Sequence, residues 1–434
     1  MMDIFSITLG FLLVLGFMTL GLHIATVMFG IGFIGAAIYL GWPAINATIV
    51  VYLGSMDEPV LLQLPLFILL GEILVRCGAT DRMYKSLADW LNPLPGGLLH
   101  TNIVSSALFS AVSGSSVATA ATISTVALPT FRHKKYDVRM VLGSIAAGGS
   151  LGNLIPPGIA FIIYGVLTNT SVGRLYAGGM VPGLLLTVMF MGTIIMLALW
   201  KPSIAPKEQS NDPLRVKLAR LVDLLPPMII FAIVMGAIYS GWATSTEAAA
   251  LAVVASLPIA AFYGRLTIPM LHDAFLSTVN LTALSMLILA GAFALNFILG
   301  LLGVTSALTK FVSSMNVTPI QLIYMLFVFY VILGTFFETL PMMVGTLPLV
   351  HPLIVAAGID PVWFGVFLVL MCEISLISPP VGMTLFVIQA VRKEGSIGDV
   401  FAGTVPFFIT MLFMTILLIH FQELALWMPR YFFG

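Results

Sequence analysis

Charge is what this sequence has least of. Only 8% of its 434 residues are Asp, Glu, Lys or Arg, against 60% apolar ones, and mean hydropathy is +1.10. A soluble core of this size needs far more charge to cover its surface, so the composition describes an integral membrane protein of many helices. The 18 basic and 18 acidic residues cancel, which argues against a nucleic-acid surface. Cysteine is nearly absent: Cys77 and Cys372 lie in or beside apolar segments and yield neither a disulfide framework nor a metal cluster. The six histidines (His23, His100, His133, His272, His351 and His420) lack ligand spacing. No Ser-His-Asp order, HExxH helix, phosphate-binding loop or dinucleotide fingerprint occurs, so ATP drive and hydrolysis within the membrane lose support and no enzyme is expected. Residues 1–21 carry no basic n-region and run into a second apolar segment, which predicts a first transmembrane helix and not a cleaved signal. With no extended soluble domain in the sequence, any capture of dilute substrate outside the membrane is expected to come from another protein.

Apolar segments fill the chain, at about 4–22, 24–40, 45–75, 98–112, 117–131, 138–151, 158–167 and 176–200 in the first half. A polar stretch, 201–220, carries five Lys/Arg, and the series resumes at 224–240, 244–263, 274–302, 320–337, 340–357, 362–377, 382–391 and 400–427. Several are shorter than the roughly 20 residues a spanning helix needs. Segments 98–112 and 117–131 are separated only by SGSS (113–116) and predict a hairpin that dips into the membrane and returns. Segments 320–337 and 340–357 predict a second one, with Glu338, Thr339 and Pro341 at its tip.

Each hairpin is followed by a Pro-Pro pair inside an apolar run, GNLIPPG at 152–158 and SLISPPVG at 375–382. Proline cannot donate to the carbonyl four residues back, and it pushes the preceding residue out of helical geometry. Pro156 and Pro157 therefore free the carbonyls of Gly152 and Asn153, and Pro379 and Pro380 those of Ser375 and Leu376. In lipid an unpaired carbonyl costs several kcal/mol, so such breaks survive only where they line a protein or water cavity. Corresponding breaks in two halves point to a transporter's binding site. Pro156 and Pro379 lie 223 positions apart, and the same offset carries Pro129 onto Pro352 and Ser116 onto Thr339. SVGRLYAGGMVP (171–182) matches SIGDVFAGTVP (396–406) at six positions with one gap. The halves are read as repeats.

Charge orients them. The loop after the first hairpin holds Arg132, Lys134, Lys135 and Arg139 and is expected in the cytoplasm, whereas loop 356–361 after the second holds no Lys or Arg. Counting spans from there places 201–220, Arg265 and Arg392–Lys393 inside as well. The hairpins thus enter from opposite faces, as inverted repeats. The domain reading is a first repeat over 1–200 (hairpin 98–131, broken helix 138–168), a cytoplasmic connection over 201–223, and a second repeat over 224–434 (hairpin 320–357, broken helix 362–391).

Half-helix N-termini suit an anion, and unwound carbonyls suit a hard cation such as sodium. SGSS adds hydroxyl oxygens and allows close backbone approach; packing between helices is the competing use of small residues. Glu72, Glu247, Glu338 and Glu373 sit in apolar runs, where ionisable groups are costly. Glu338 and Glu373 are open between cation or proton coupling and a structural carboxylate bonded to backbone; Glu72 and Glu247 read as packing groups. Asn153 reads as an anion ligand, with a structural cap as the alternative.

At these residues the chain resembles the large membrane (M) subunit of tripartite ATP-independent periplasmic (TRAP) transporters. The resemblance rests on SGSSVATAATISTVALP, GGSLGNLIPPG, TSTEAAA, GTFFETLP and SPPVGMTLF and covers essentially the whole chain. Departures are Gly158 where the family often has Ser, Ser245 where it often has Pro, and Glu338 where Asp is common. The resemblance implies an all-α, multi-spanning elevator-type transporter in a bacterial inner membrane, with hairpins and broken helices moving as one body against a scaffold. It implies two sodium ions, a small four-helix membrane subunit (Q type), and a periplasmic substrate-binding protein (P type) that delivers a small organic anion. By the same resemblance, Ser110, Ser113, Gly152, Ile155 and Pro157 form one sodium site, and Gly334, Ser375, Ser378 and Val381 the other. The anion is expected near Ser115, Ser116, Asn153, Thr339 and Thr384. A standalone sodium/dicarboxylate symporter of similar design is the alternative; that group carries Ser-Asn-Thr at its hairpin tips, and this sequence has none. An ion channel would need a continuous pore instead of two closed hairpins.

Overall fold

In the computed structural model, which describes residues 10, 12–14, 16–17, 20–206, 213–314 and 317–434, helices account for the regular structure and no strand occurs among the described residues. Most of the first apolar segment, 4–22, and the centre of the connection 201–223 lie outside them. Seven of the described helices are long and apolar enough to cross a bilayer. Leu184, Val188 and Met196 stand exposed along one of these, and Trp200 and Trp242 at helix ends, as lipid-facing side chains and interfacial indoles do. The chain is a multi-pass membrane protein.

The hairpin arms Leu98–Ser113, Ser116–Phe131 and Pro319–Gly334 have 16 residues each. At 1.5 Å per residue such an arm reaches about 24 Å, short of a hydrocarbon core of about 30 Å. After the first hairpin come Val138–Gly149, an irregular stretch, Ile159–Thr168, and the long helix Val172–Trp200. After the second come Pro361–Leu376, another break, Met383–Arg392, and Ile397–His420, in the same order. Both Pro-Pro peptides are cis.

The interrupted helices occupy the centre of the molecule. Residues 362–376 are all buried, as are 140–149, so neither segment shows the one-sided burial of a surface helix. Lipid offers no hydrophobic drive for helix association, so close packing of small residues does that work. Gly143 and Gly403 supply it where Val138–Gly149 crosses Ile397–His420: a Cβ on Gly143 would fall on the Gly403 carbonyl. At one end of this pair Arg139 (3.2 Å) and Arg392 (3.4 Å) both reach Asp399, and Arg132 reaches Glu394 at 3.5 Å. The basic loop after the first hairpin therefore meets the turn after the second interrupted helix.

Several boundaries differ from the sequence expectation. The apolar run 45–75 is two helices, Trp42–Met56 and Gln63–Arg76, joined by the 3-10 turn Pro59–Leu62, because Asp57, Glu58 and Pro59 interrupt it. The second tip is residues 335–338; Thr339 opens the returning arm, and Pro341 sits in its first turn, where a missing N–H costs nothing. Ala79–Leu91 and Val304–Ser314 are amphipathic helices with no counterpart among the apolar segments.

Candidate functional site

The first tip contains only two non-helical residues. Gly114 ends the incoming arm with φ 62°, a left-handed conformation that glycine adopts freely. Ser115 caps the returning arm, its Oγ accepting the Ala118 N–H at 3.4 Å. Ser113 and Thr119 pair hydroxyls across the turn at 3.0 Å. The tip is clipped to the first Pro-Pro break: the Ile159 N–H donates to the Gly114 carbonyl at 3.0 Å. Opposite it, a Cβ on Gly152 would fall on the backbone of Ser115 and Ser116.

At this break Val138–Gly149 ends earlier than proline requires. Ser150 to Gly158 continue as turns, and every one of them is buried. Among the described residues no backbone N–H bonds to the carbonyls of Gly152, Asn153, Ile155 or Pro157. Buried carbonyls in proteins are nearly always paired, so these four stand out as oxygen acceptors without a backbone donor. Of the other residues expected at the first sodium site, Ser110 spends its carbonyl on the Gly114 N–H (3.1 Å), and its buried hydroxyl has no partner. Ser113 keeps the hydroxyl pair described above.

The second half is built alike but looser. Gly334 ends the incoming arm, and a Cβ there would lie 2.8 Å from the Cβ of Ser375. The Ser375 carbonyl is not bare, contrary to the proline rule taken alone: the Ser378 N–H turns back to it at 3.3 Å. The Ser375 hydroxyl donates to the Cys372 carbonyl at 2.6 Å, and the Ser378 carbonyl accepts from Gly382 N–H at 3.0 Å. The carbonyls of Gly334, Leu376 and Val381 receive no backbone N–H among the described residues. Pro379, Pro380 and Val381 are exposed.

Of the residues expected at the anion, Thr339 and Thr384 are buried with unpartnered hydroxyls. Thr384 packs where the interrupted helices meet the first hairpin: its methyl and Ala120 crowd the same side of Gly149. Asn153 differs from the expectation. Its amide is committed within the protein, Nδ2 donating to Glu373 Oε1 at 2.8 Å and to Ser116 Oγ at 3.0 Å, while its backbone N–H also reaches Ser116 Oγ at 3.0 Å. Ser116 Oγ in turn donates to Glu373 Oε2 at 2.6 Å. Glu373, fully buried, is thus bonded to side chains of the other half and not to backbone.

The remaining acidic residues divide. Glu338 is exposed at the N-cap of the second returning arm and makes no capping bond. Glu72 pairs with Arg76, and Glu247 closes a capping box with Thr244. No group of three or more His, Cys, Asp or Glu suited to a metal ion occurs among the described residues. A cavity of about 1030 Å³ bordered by Glu58, Asn169, Thr244 and Phe433 touches neither break.

Residues 9–424 match the family model for the tripartite ATP-independent periplasmic transporter, DctM component. The chain is 31% identical over 389 residues to the sialic acid TRAP transporter large permease protein SiaM of Vibrio cholerae, covering 88% of this chain and 89% of that one. It is also 31% identical over 378 residues to the C4-dicarboxylate TRAP transporter large permease protein DctM of Pseudomonas aeruginosa, covering 87% and 88%. In fold it is similar to the YdaH transporter of Alcanivorax borkumensis, with a TM-score of 0.63 at 14% identity, over 95% of this chain and 98% of that one. The chain belongs to the DctM-component family of tripartite ATP-independent periplasmic transporters, as a large membrane subunit.

Proposed function

We propose that this protein carries out sodium-coupled secondary uptake of a small organic anion, a carboxylate or sulfonate, across a bacterial inner membrane. The observation that carries the reading is the pairing of each hairpin tip with a Pro-Pro break, with a set of buried carbonyls at the first break that lack backbone donors. In this reading Gly152, Ile155 and Pro157, with the Ser110 hydroxyl, form one oxygen cage for a sodium ion; Gly334, Ser378 and Val381, with Ser375, form a second. The anion lies between the tips against Ser115, Thr339 and Thr384, while Ser116 and Asn153 frame the pocket. Opposite entry of the hairpins makes the halves inverted repeats, and hairpins and interrupted helices move together in an elevator step against helices such as Ile268–Leu301. A small membrane subunit completes the scaffold and a periplasmic binding protein delivers the substrate. The names of the two relatives favour carboxylates.

The energetics suffice without nucleotide. A tenfold sodium gradient is worth about 1.4 kcal/mol per ion, and 100 mV adds about 2.3 kcal/mol per net charge. Two ions with one monoanion then supply about 5 kcal/mol, three to four decades of accumulation. The test is uptake of radiolabelled sialic acid and succinate into proteoliposomes, with the small subunit and the cognate binding protein supplied. Uptake of either that collapses without a sodium gradient supports the reading. Uptake that persists without sodium contradicts the coupling, and full uptake without the binding protein moves the assignment to a standalone symporter.

A further inference from the structure

Glu373 is the one carboxylate fully buried among the described residues, and no Lys, Arg or His forms an ion pair with it there. A charge in that position is costly unless something compensates it. At the first break its oxygens hold Ser116 and Asn153, beside Gly152.

Resting on the sodium reading above, we propose that Glu373 is a positioning residue for the first ion site, setting the direction of the Gly152 carbonyl through Ser116. The direction follows from peptide planarity. The Asn153 N–H and the Gly152 carbonyl belong to one rigid unit and point opposite ways. Ser116 Oγ holds that N–H at 3.0 Å, and Glu373 holds Ser116 at 2.6 Å. Releasing Glu373 therefore frees the plane that aims a sodium ligand.

The test uses the full-length chain with its small membrane subunit in lipid nanodiscs, melted at increasing NaCl with choline chloride keeping ionic strength constant. In Glu373→Gln, which keeps the shape but replaces an acceptor oxygen with an amide, the half-saturating sodium concentration should rise about tenfold, the worth of a buried hydrogen bond. Ser116→Ala leaves Glu373 in place but frees the peptide plane, and should raise it by about fivefold. A residue that merely pegs helices together would lower the melting temperature in choline and leave half-saturation unmoved. Half-saturation within twofold of wild type in Glu373→Gln, or in Ser116→Ala where the first variant does not fold, overturns the proposal. Wild-type protein with no sodium-dependent shift at all overturns the sodium reading beneath it instead.

Discussion

Around Pro156 and Pro157 every residue from Gly152 to Gly158 is buried, whereas Pro379, Pro380 and Val381 stand exposed. The first break is fastened to its hairpin by the bond from Ile159 N–H to the Gly114 carbonyl and by the Ser116–Asn153 contacts. The second meets its hairpin through Gly334 against Ser375 and a long Cys372 Sγ contact to the Thr339 carbonyl at 3.8 Å. One motif is thus set in two environments, one wholly buried and one reaching the surface. Preorganised ligands lose less on binding, so on the proposed reading the first cage should hold its ion more tightly, and damage there should cost more.

The sharpest way to break that comparison is Gly152→Val. With no room beside the Ser116 backbone, overpacking should cost about tenfold to a hundredfold in sodium-dependent uptake. Wild-type uptake in proteoliposomes would remove Gly152 from the ion site. Gly334→Ala asks the same of the second cage. There a Cβ would approach Ser375 no closer than 2.8 Å, against 2.3 Å to the Ser116 backbone at Gly152, so the half-saturating sodium concentration should rise by only about fivefold. A loss equal to that of Gly152→Val would erase the distinction between the halves.

Smaller effects separate substrate from ion. Thr384→Val removes a buried hydroxyl that has no internal partner, so the fold should not weaken. Substrate KM should rise about threefold at unchanged half-saturating sodium; an unchanged KM would take Thr384 out of the anion site. Val381→Ala alters an exposed side chain and keeps the carbonyl, so its uptake should stay within about twofold of wild type. A larger loss would mean the side chain, and not the backbone, matters there.

How much was legible in the sequence follows from the range of the forces involved. Proline acts on its own backbone, so both breaks and their shared order could be read directly, and SGSS marked the first tip because two helices cannot meet there without small residues. Helices with a polar face, such as Ala79–Leu91, escaped a search for apolar runs although Arg82 stacks over Tyr263 and Asp89 pairs with Arg220. The Ser375 carbonyl looked bare because the proline rule says nothing of a Ser378 N–H folding back. The Ser116–Glu373 bond joins residues 257 positions apart, and no local pattern encodes such a partner. The available signal was weaker: a lone carboxylate inside an apolar segment, two residues ahead of a site serine. An amide such as that of Asn153, whose partner lies in the other half, likewise looks free in the sequence.

Equilibrium binding of radiolabelled sodium to the purified subunit pair, with choline as the competing salt, tests the paired cages most directly. Two saturable sites should be found in the wild-type protein, with the tighter one missing in Gly152→Val. Sodium retention that never rises above the choline background, or two sites surviving intact in Gly152→Val, would contradict the assignment.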